Sequence, residues 1–233
     1  VTSVVYGIAA TRNELPSLDT PVLKFFDETR VANVDERKRR MTLRHLLTMT
    51  AGFDWNEDDY ADPKNSCDLM EASADWVRFA IDRPMAHEPG TVFRYNSGAS
   101  QILAHVFRAA VGQDLEEYAA KRLFAPLGIE RWFWKRTPGG VADTEGGLYL
   151  RPRDLAKIAQ LYLSEGDWKG TRVVSREWVK ASTTPALPAD EKTPLYGYKW
   201  WLAPYGPDTA RLAWAGSGFG GQRTVVVPEH ELV

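Results

Sequence analysis

The sequence predicts an α+β fold of the α/β-sandwich type: an antiparallel sheet flanked by helices, with a mostly helical region inserted. Three observations predict it. Val1 to Ala10, VTSVVYGIAA, reads as the inside of a buried helix. The middle of the chain carries apolar residues at helical spacing, most regularly Ala99, Ile102, Leu103, Val106, Phe107 and Ala110. After Pro194 the residues turn aromatic and β-branched, so Tyr196 to Leu202 and Thr224 to Val227 read as strands. Helix, helical middle and strands in that order place the helical part as an insertion in a sheet-bearing region. The organisation expected is a helix over 1–12, a mostly helical region over 41–185, and strands of the first region over 195–233, with the chain truncated at both ends.

Each element follows from local signals. After the opening helix, Pro16 and Pro21 break a loop. Thr42 is placed to cap a short helix bearing Leu43, Leu46 and Leu47, and Gly52 is expected as its left-handed C-terminal cap. Asp54 to Asn65 is acidic and turn-rich. Leu69 to Ile81 reads as one helix stopped by Pro84, and Gly112 closes the helix that begins near Ala99. Asp114 starts another helix ending near Pro126. Pro152 suits the first turn of a helix carrying Leu155, Ile158, Ala159 and Tyr162, which ends at Gly166. Ser175 caps a last short helix through Val179.

Composition excludes several classes of function. The chain has 233 residues, 44% hydrophobic and 26% charged, which is the balance of a globular chain with a core rather than a disordered one. A formal charge of −2 gives no global attraction to nucleic acid or an anionic membrane. No apolar run approaches the ~20 residues of a membrane span. The single cysteine, Cys67, excludes an internal disulfide and a cysteine-based metal cluster.

Several motifs fail on mechanism. Gly216-Ser217-Gly218-Phe219-Gly220-Gly221 has dinucleotide-loop spacing, but Gln222 to Val227 reads as a strand where a phosphate-binding helix is needed; a tight turn is the plain reading. Asp54, Asn56 and Asp58 imitate a calcium loop, yet Asp59 stands where Gly is required and Asn65 where Glu is. Arg37-Lys38-Arg39-Arg40 reads as a solvated basic face. His45, His87, His105 and His230 lack metal-ligand spacing. Among the Trp residues, Trp132, Trp134, Trp200, Trp201 and Trp214 are expected mostly as core. No cofactor is implied.

Three stretches matter in combination: Met41 to Gly52 (MTLRHLLTMTAG), Phe93 to Gly98 (FRYNSG) and Gly146 to Leu155 (GGLYLRPRDL). With Trp214-Ala215-Gly216 before the last strand, their order resembles the serine β-lactamase and penicillin-binding-protein family. The likeness is to its class C-like branch, with esterases and nylon-oligomer hydrolases, and it covers nearly the whole chain. Any one motif is weak; four in order are specific. The resemblance implies the β-lactamase/transpeptidase-like fold and a serine hydrolase that cleaves a small ester or amide through an acyl-enzyme.

The resemblance also assigns residues. Tyr95 matches the family tyrosine, a base once nearby cations stabilise its phenolate. Ser97 stands where Y-x-N would carry Asn. Tyr60 lies in a loop similar to one that reaches over the site in nylon-oligomer hydrolases and is taken as a substrate contact. Trp214 to Gly216 occupies the K-T-G region without its Lys and Thr, and Ser217 replaces the lost hydroxyl. That departure disfavours β-lactams and favours substrates without an obligatory carboxylate. No serine of this sequence has Lys three places on. Val1-Thr2-Ser3 is similar to the tail of S-x-x-K-S-V-T-S, so the nucleophile is expected about five residues before Val1, and the fragment alone is expected not to acylate. The alternative is a catalytically silent relative serving as a binding or sensing module, motivated by the missing lysine. Bacterial relatives are often exported; compartment, oligomeric state and substrate are open.

Overall fold

The structure is a computed structural model that describes residues 1–188, 194–206 and 211–233. The chain forms two compact units: one of Val1–Leu15, Leu115–Phe133 and Leu148–Val233, the other of Pro16–Asp114 and Trp134–Gly147. The chain segments expected from composition are divided differently. Residues 115–133 and 148–185 group with the opening helix and the strands rather than with the helical middle.

In the first unit the helix Thr2–Thr11 is buried from Thr2 to Ala9, on every face, as a helix apolar all round must be. Gly7 allows the close approach of the helix Arg176–Ser182, because a Cβ there would overlap the Trp178 indole. Ser175 caps that second helix by accepting from the Trp178 N–H, and its own N–H donates to Thr11 Oγ1 at 2.7 Å. Pro152 opens the helix Pro152–Leu163, and Glu165 and Gly166, both at positive φ, turn the chain after it.

The sheet of this unit has three antiparallel strands, Trp201–Pro204, Leu212–Ser217 and Arg223–Val226, with Leu212–Ser217 in the middle. Trp214 faces Leu202 and Val226, Gly216 faces Thr224, and Ser217 faces Arg223. The expected strand over Tyr196–Leu202 begins only at Trp201. The Gly197 N–H donates to the Trp200 carbonyl and Lys199 takes φ 61°, so a turn occupies the first half of that run. The glycine-rich segment is the turn between the last two strands, closed by Gly218 N–H donating to the Gln222 carbonyl. The strand Arg223–Val226 follows it directly where a dinucleotide loop needs the N-terminus of a helix.

The second unit is built on the helix Ser97–Val111, buried from Ser97 through Ala104 and again at Val106 and Phe107. Asn96 caps its start by accepting from the Ala99 N–H at 2.7 Å, and Gly112, at φ 75°, caps its end. Leu69 to Ile81 is not one helix but two, Ser66–Glu71 and Trp76–Ile81. Asp75 accepts from the Arg78 N–H and so starts the second helix, a side-chain cap that interrupts the apolar period.

At the helix Leu43–Leu47, Thr42 is the N-cap, as expected, and its N–H donates to His45 Nδ1 at 3.1 Å in a capping box. The expectation for Gly52 is corrected. The left-handed residue after the helix is Met49 (φ 58°); Gly52 serves a separate close approach, where a Cβ would stand 2.5 Å from the His87 carbonyl oxygen. The basic run is only partly a solvated face. Arg39 and Arg40 are exposed in ion pairs, but Lys38 is fully buried, and its ammonium donates to the Ala32 and Ile81 carbonyls at 2.8 Å each. Among the described residues no helix is long and apolar enough to cross a membrane.

Candidate active site

Tyr95 and Ser97 sit at the entrance of the helix Ser97–Val111, and Asn96 between them fixes the backbone as the helix cap. Ser97 is 3% exposed, and both of its polar groups donate to Glu57: the N–H to Oε2 at 2.8 Å and the hydroxyl to Oε1 at 2.7 Å. Glu57 is 5% exposed and takes two further donors, Trp55 Nε1 at 2.7 Å on Oε2 and the Tyr60 hydroxyl at 2.8 Å on Oε1. Four donors on one carboxylate compensate the cost of burying its charge. The structure thus brings Ser97 and Tyr60 together on a residue that sequence reasoning missed. Glu57 lies in an acidic stretch, Glu57-Asp58-Asp59, in which nothing local marks which carboxylate turns inward.

The loop carrying Glu57 is braced along its length. Asn56 donates to Asp62 at 2.8 Å and exchanges hydrogen bonds with Ser66. Asn65, fully buried, donates to the Asp59 carbonyl at 3.0 Å and caps the helix Ser66–Glu71. Arg94 pairs with Asp58 at 2.7 Å. Trp55 lies under Gly98, where a Cβ would come within 2.7 Å of its ring and 2.8 Å of Ala80.

A second acidic group comes from 142–147. Gln101 donates to the Ala142 carbonyl at 3.0 Å, and the Thr144 hydroxyl donates to the Ser100 carbonyl at 2.7 Å, which holds this segment on the helix. Buried Asp143 accepts from the Glu145 and Gly146 N–H groups, and Gly147 must lack a side chain because a Cβ would overlap Asp143. Glu145 thereby reaches Cys67, whose thiol lies 3.6 Å from Oε2. Burial, then the hydrogen bond that the protonated Glu145 donates to Glu71 and the charges of Asp143 and Glu71, push the Glu145 carboxyl up to about 8. Burial above all, then Glu145 and Glu57, pushes the Cys67 thiol up as well. Cys67, Glu71 and Glu145 are close enough to hold a metal ion, but a thiol and a carboxyl that keep their protons are poor ligands.

The Tyr95 phenol is pushed up to about 12, first by burial and then by Glu57, Glu145 and Cys67. It rests protonated at neutral pH, and a cation beside it is what would lower it. Tyr60, 44% exposed, is also held high by burial and by Glu57.

In the other unit, Gly216 and Ser217 line a cavity of about 230 Å³ with Ser3, Lys199, Trp200 and Thr224. Trp214, on the same central strand, is not among the lining residues; it is paired between Leu202 and Val226.

The beta-lactamase family model matches residues 1–233. The chain belongs to the beta-lactamase family. It is 33% identical over 118 residues to monacolin J acid methylbutanoyltransferase of Aspergillus terreus, a match covering 49% of this chain and 28% of that protein. It is 30% identical over 149 residues to 6-aminohexanoate-dimer hydrolase of Paenarthrobacter ureafaciens, covering 58% of this chain and 37% of the relative. The octameric penicillin-binding protein homologue from Pyrococcus abyssi has the same fold, with a TM-score of 0.74, 22% identity, and coverage of 99% of this chain and 57% of that one. The matches to these two curated relatives span less than two fifths of their length. The fold expected of a β-lactamase/transpeptidase-like chain, helices with antiparallel strands, is the fold of this beta-lactamase-family chain.

Proposed function

We propose that this chain belongs to a serine hydrolase that cleaves a small ester or amide through an acyl-enzyme, with Tyr95 as its proton-transfer residue. The observation that carries the reading is the Tyr95-Asn96-Ser97 turn, capped onto a buried helix and tied to Glu57. The family match over residues 1–233 supports it, as does the pairing of an acyltransferase and an amide-dimer hydrolase among the relatives, since both names describe acyl chemistry.

A serine hydroxyl is a weak nucleophile until a base takes its proton. In the proposed reaction the Tyr95 phenolate takes that proton as the serine oxygen bonds to the substrate carbonyl carbon. The proton then passes to the leaving oxygen or nitrogen as its bond to the carbonyl breaks. Water repeats the sequence on the acyl-serine and releases the acid. Burial and the anions around Tyr95 hold its proton, so the family lysine has a definite physical task, to stabilise the phenolate. Ser97 is proposed as the residue that fixes the polar surroundings of Tyr95; Tyr60, Trp214, Gly216 and Ser217 are proposed as substrate contacts. A cavity lined by Gly216 and Ser217 supports the last two, and Trp214 stands on the same strand, two residues before Gly216.

The test uses the full-length protein with an ester and an amide of the same acyl group. Tyr95→Phe lowers kcat/KM by about 10²–10⁴-fold, the range of general acid–base catalysis, while a fluorophosphonate labels one serine in the wild type. Unchanged turnover in Tyr95→Phe contradicts the role of Tyr95. A wild type that binds ligand without turnover or labelling would instead be the silent binding module.

A further inference from the structure

The four donors on Glu57 come from three residues on two pieces of chain: Trp55 and Tyr60 of its own loop, and Ser97, the first residue of the helix that follows Tyr95. We propose that Glu57 is the positioning residue of this site: one carboxylate fixes the backbone two residues after Tyr95 and orients the hydroxyls of both Ser97 and Tyr60. This rests on the proposed reading of Tyr95.

The geometry supports Glu57 over its acidic neighbours. The Ser97 hydroxyl donates to Glu57, and Cys67 and Glu145, in contact with each other, are the other acidic groups of the cluster. Glu145 is pushed up to about 8 and the Cys67 thiol is raised, so both keep protons at neutral pH. Glu57 has four donors and no room for a proton of its own on either oxygen, which makes it the anion of the group. Ser97 therefore gives its proton to Oε1, and so does Tyr60; with both hydroxyl protons committed, the two oxygens act toward other groups as acceptors. The charged and titratable groups around this cluster are Glu57, Glu71, Asp143, Glu145 and Cys67, with Asp58 already paired to Arg94. Glu57 is thus also the largest charge acting on Tyr95, which couples positioning to proton transfer.

Glu57→Gln in the full-length protein keeps the shape and removes the charge. The expected result is a fall in kcat of about 10–100-fold, the worth of a hydrogen bond to a charged group, with KM within about threefold. The ascending limb of the pH profile, where Tyr95 must lose its proton to act as base, moves to lower pH, because an anion beside the phenol is gone. Glu57→Asp keeps the charge and leaves the limb in place. In a Tyr60→Phe/Ser97→Ala background, adding Glu57→Gln costs far less than alone, since its hydroxyl partners are already absent. An equal cost in both backgrounds, or a loss that merely follows the folded fraction with no movement of the limb, overturns the proposal. NMR reads the same point without turnover: protected hydroxyl protons of Ser97 and Tyr60 are expected in the wild type and lost in Glu57→Gln. Their absence from the wild type overturns the positioning role even if the enzyme is active. Their presence in a protein with no turnover or serine labelling keeps the positioning role and rejects the hydrolase reading instead.

Discussion

Ser97 is fixed by side chains converging on one buried carboxylate, whereas Gly216 and Ser217 are fixed by a backbone ladder with the strand Arg223–Val226. The difference decides how each region answers to substitution. A ladder of N–H and C=O groups is indifferent to most side chains that fit the face. A carboxylate with four donors is not, because removing one partner strands the others without water to replace it.

Gly98→Ala should show the largest stability effect of the two regions. Its new methyl would press within 2.8 Å of both Trp55 and Ala80, behind the residue that supports Glu57. Overpacking of this kind costs about 1–3 kcal/mol, measurable as a lower urea midpoint at unchanged m-value. If the loss is much smaller, the loop around Glu57 yields more easily than its bracing implies.

The raised Glu145 carboxyl adds a pH-dependent effect, and its sign is fixed by linkage. The folded chain holds this proton up to about 8, against an ordinary 4.5, so the stability it confers is full below about pH 4.5 and is lost as pH rises through about 8. Wild type should therefore lose stability relative to Glu145→Gln across that window, read as the difference between urea midpoints. A wild type that gains stability relative to Glu145→Gln as pH rises would mean that Glu145 is ionised and paired instead.

Gly216→Ala is expected to change stability least, by about 0.5 kcal/mol or less. Its Cβ would meet only the Thr224 methyl, at 3.1 Å, and Gly216 has no left-handed φ to lose. A large loss there would mean that the strand is held by close packing rather than by its ladder.

The same contrast governs what was legible in the sequence. The helix Ser97–Val111 was readable because its apolar stripe and Gly112 are local signals, and the strand Arg223–Val226 was readable from the β-branched run at Thr224 to Val227, whereas the central strand Leu212–Ser217 carries no such run. The Leu69 to Ile81 stretch misled because Asp75 offers the backbone a cap inside an otherwise helical pattern. Tyr196 to Tyr198 misled because strand-forming residues were drawn into a turn with Lys199. Tyr95 and Ser97 were found only through the order of motifs. Glu57 and the inward turn of Glu145 had no signal at all: an acidic loop looks the same from sequence whether its carboxylates face water or a ring of donors. What selects the inward one is Trp55, Tyr60 and Ser97, and only the fold brings those together.

The central claim is that these residues serve an acyl-enzyme. Its most direct test is an acid quench of the full-length protein during turnover of an ester, followed by intact-protein mass spectrometry. The account predicts a species heavier by the mass of the acyl group, bound to one serine and accumulating before steady state. Turnover with no acylated species, under conditions where a fluorophosphonate also labels nothing, would contradict it.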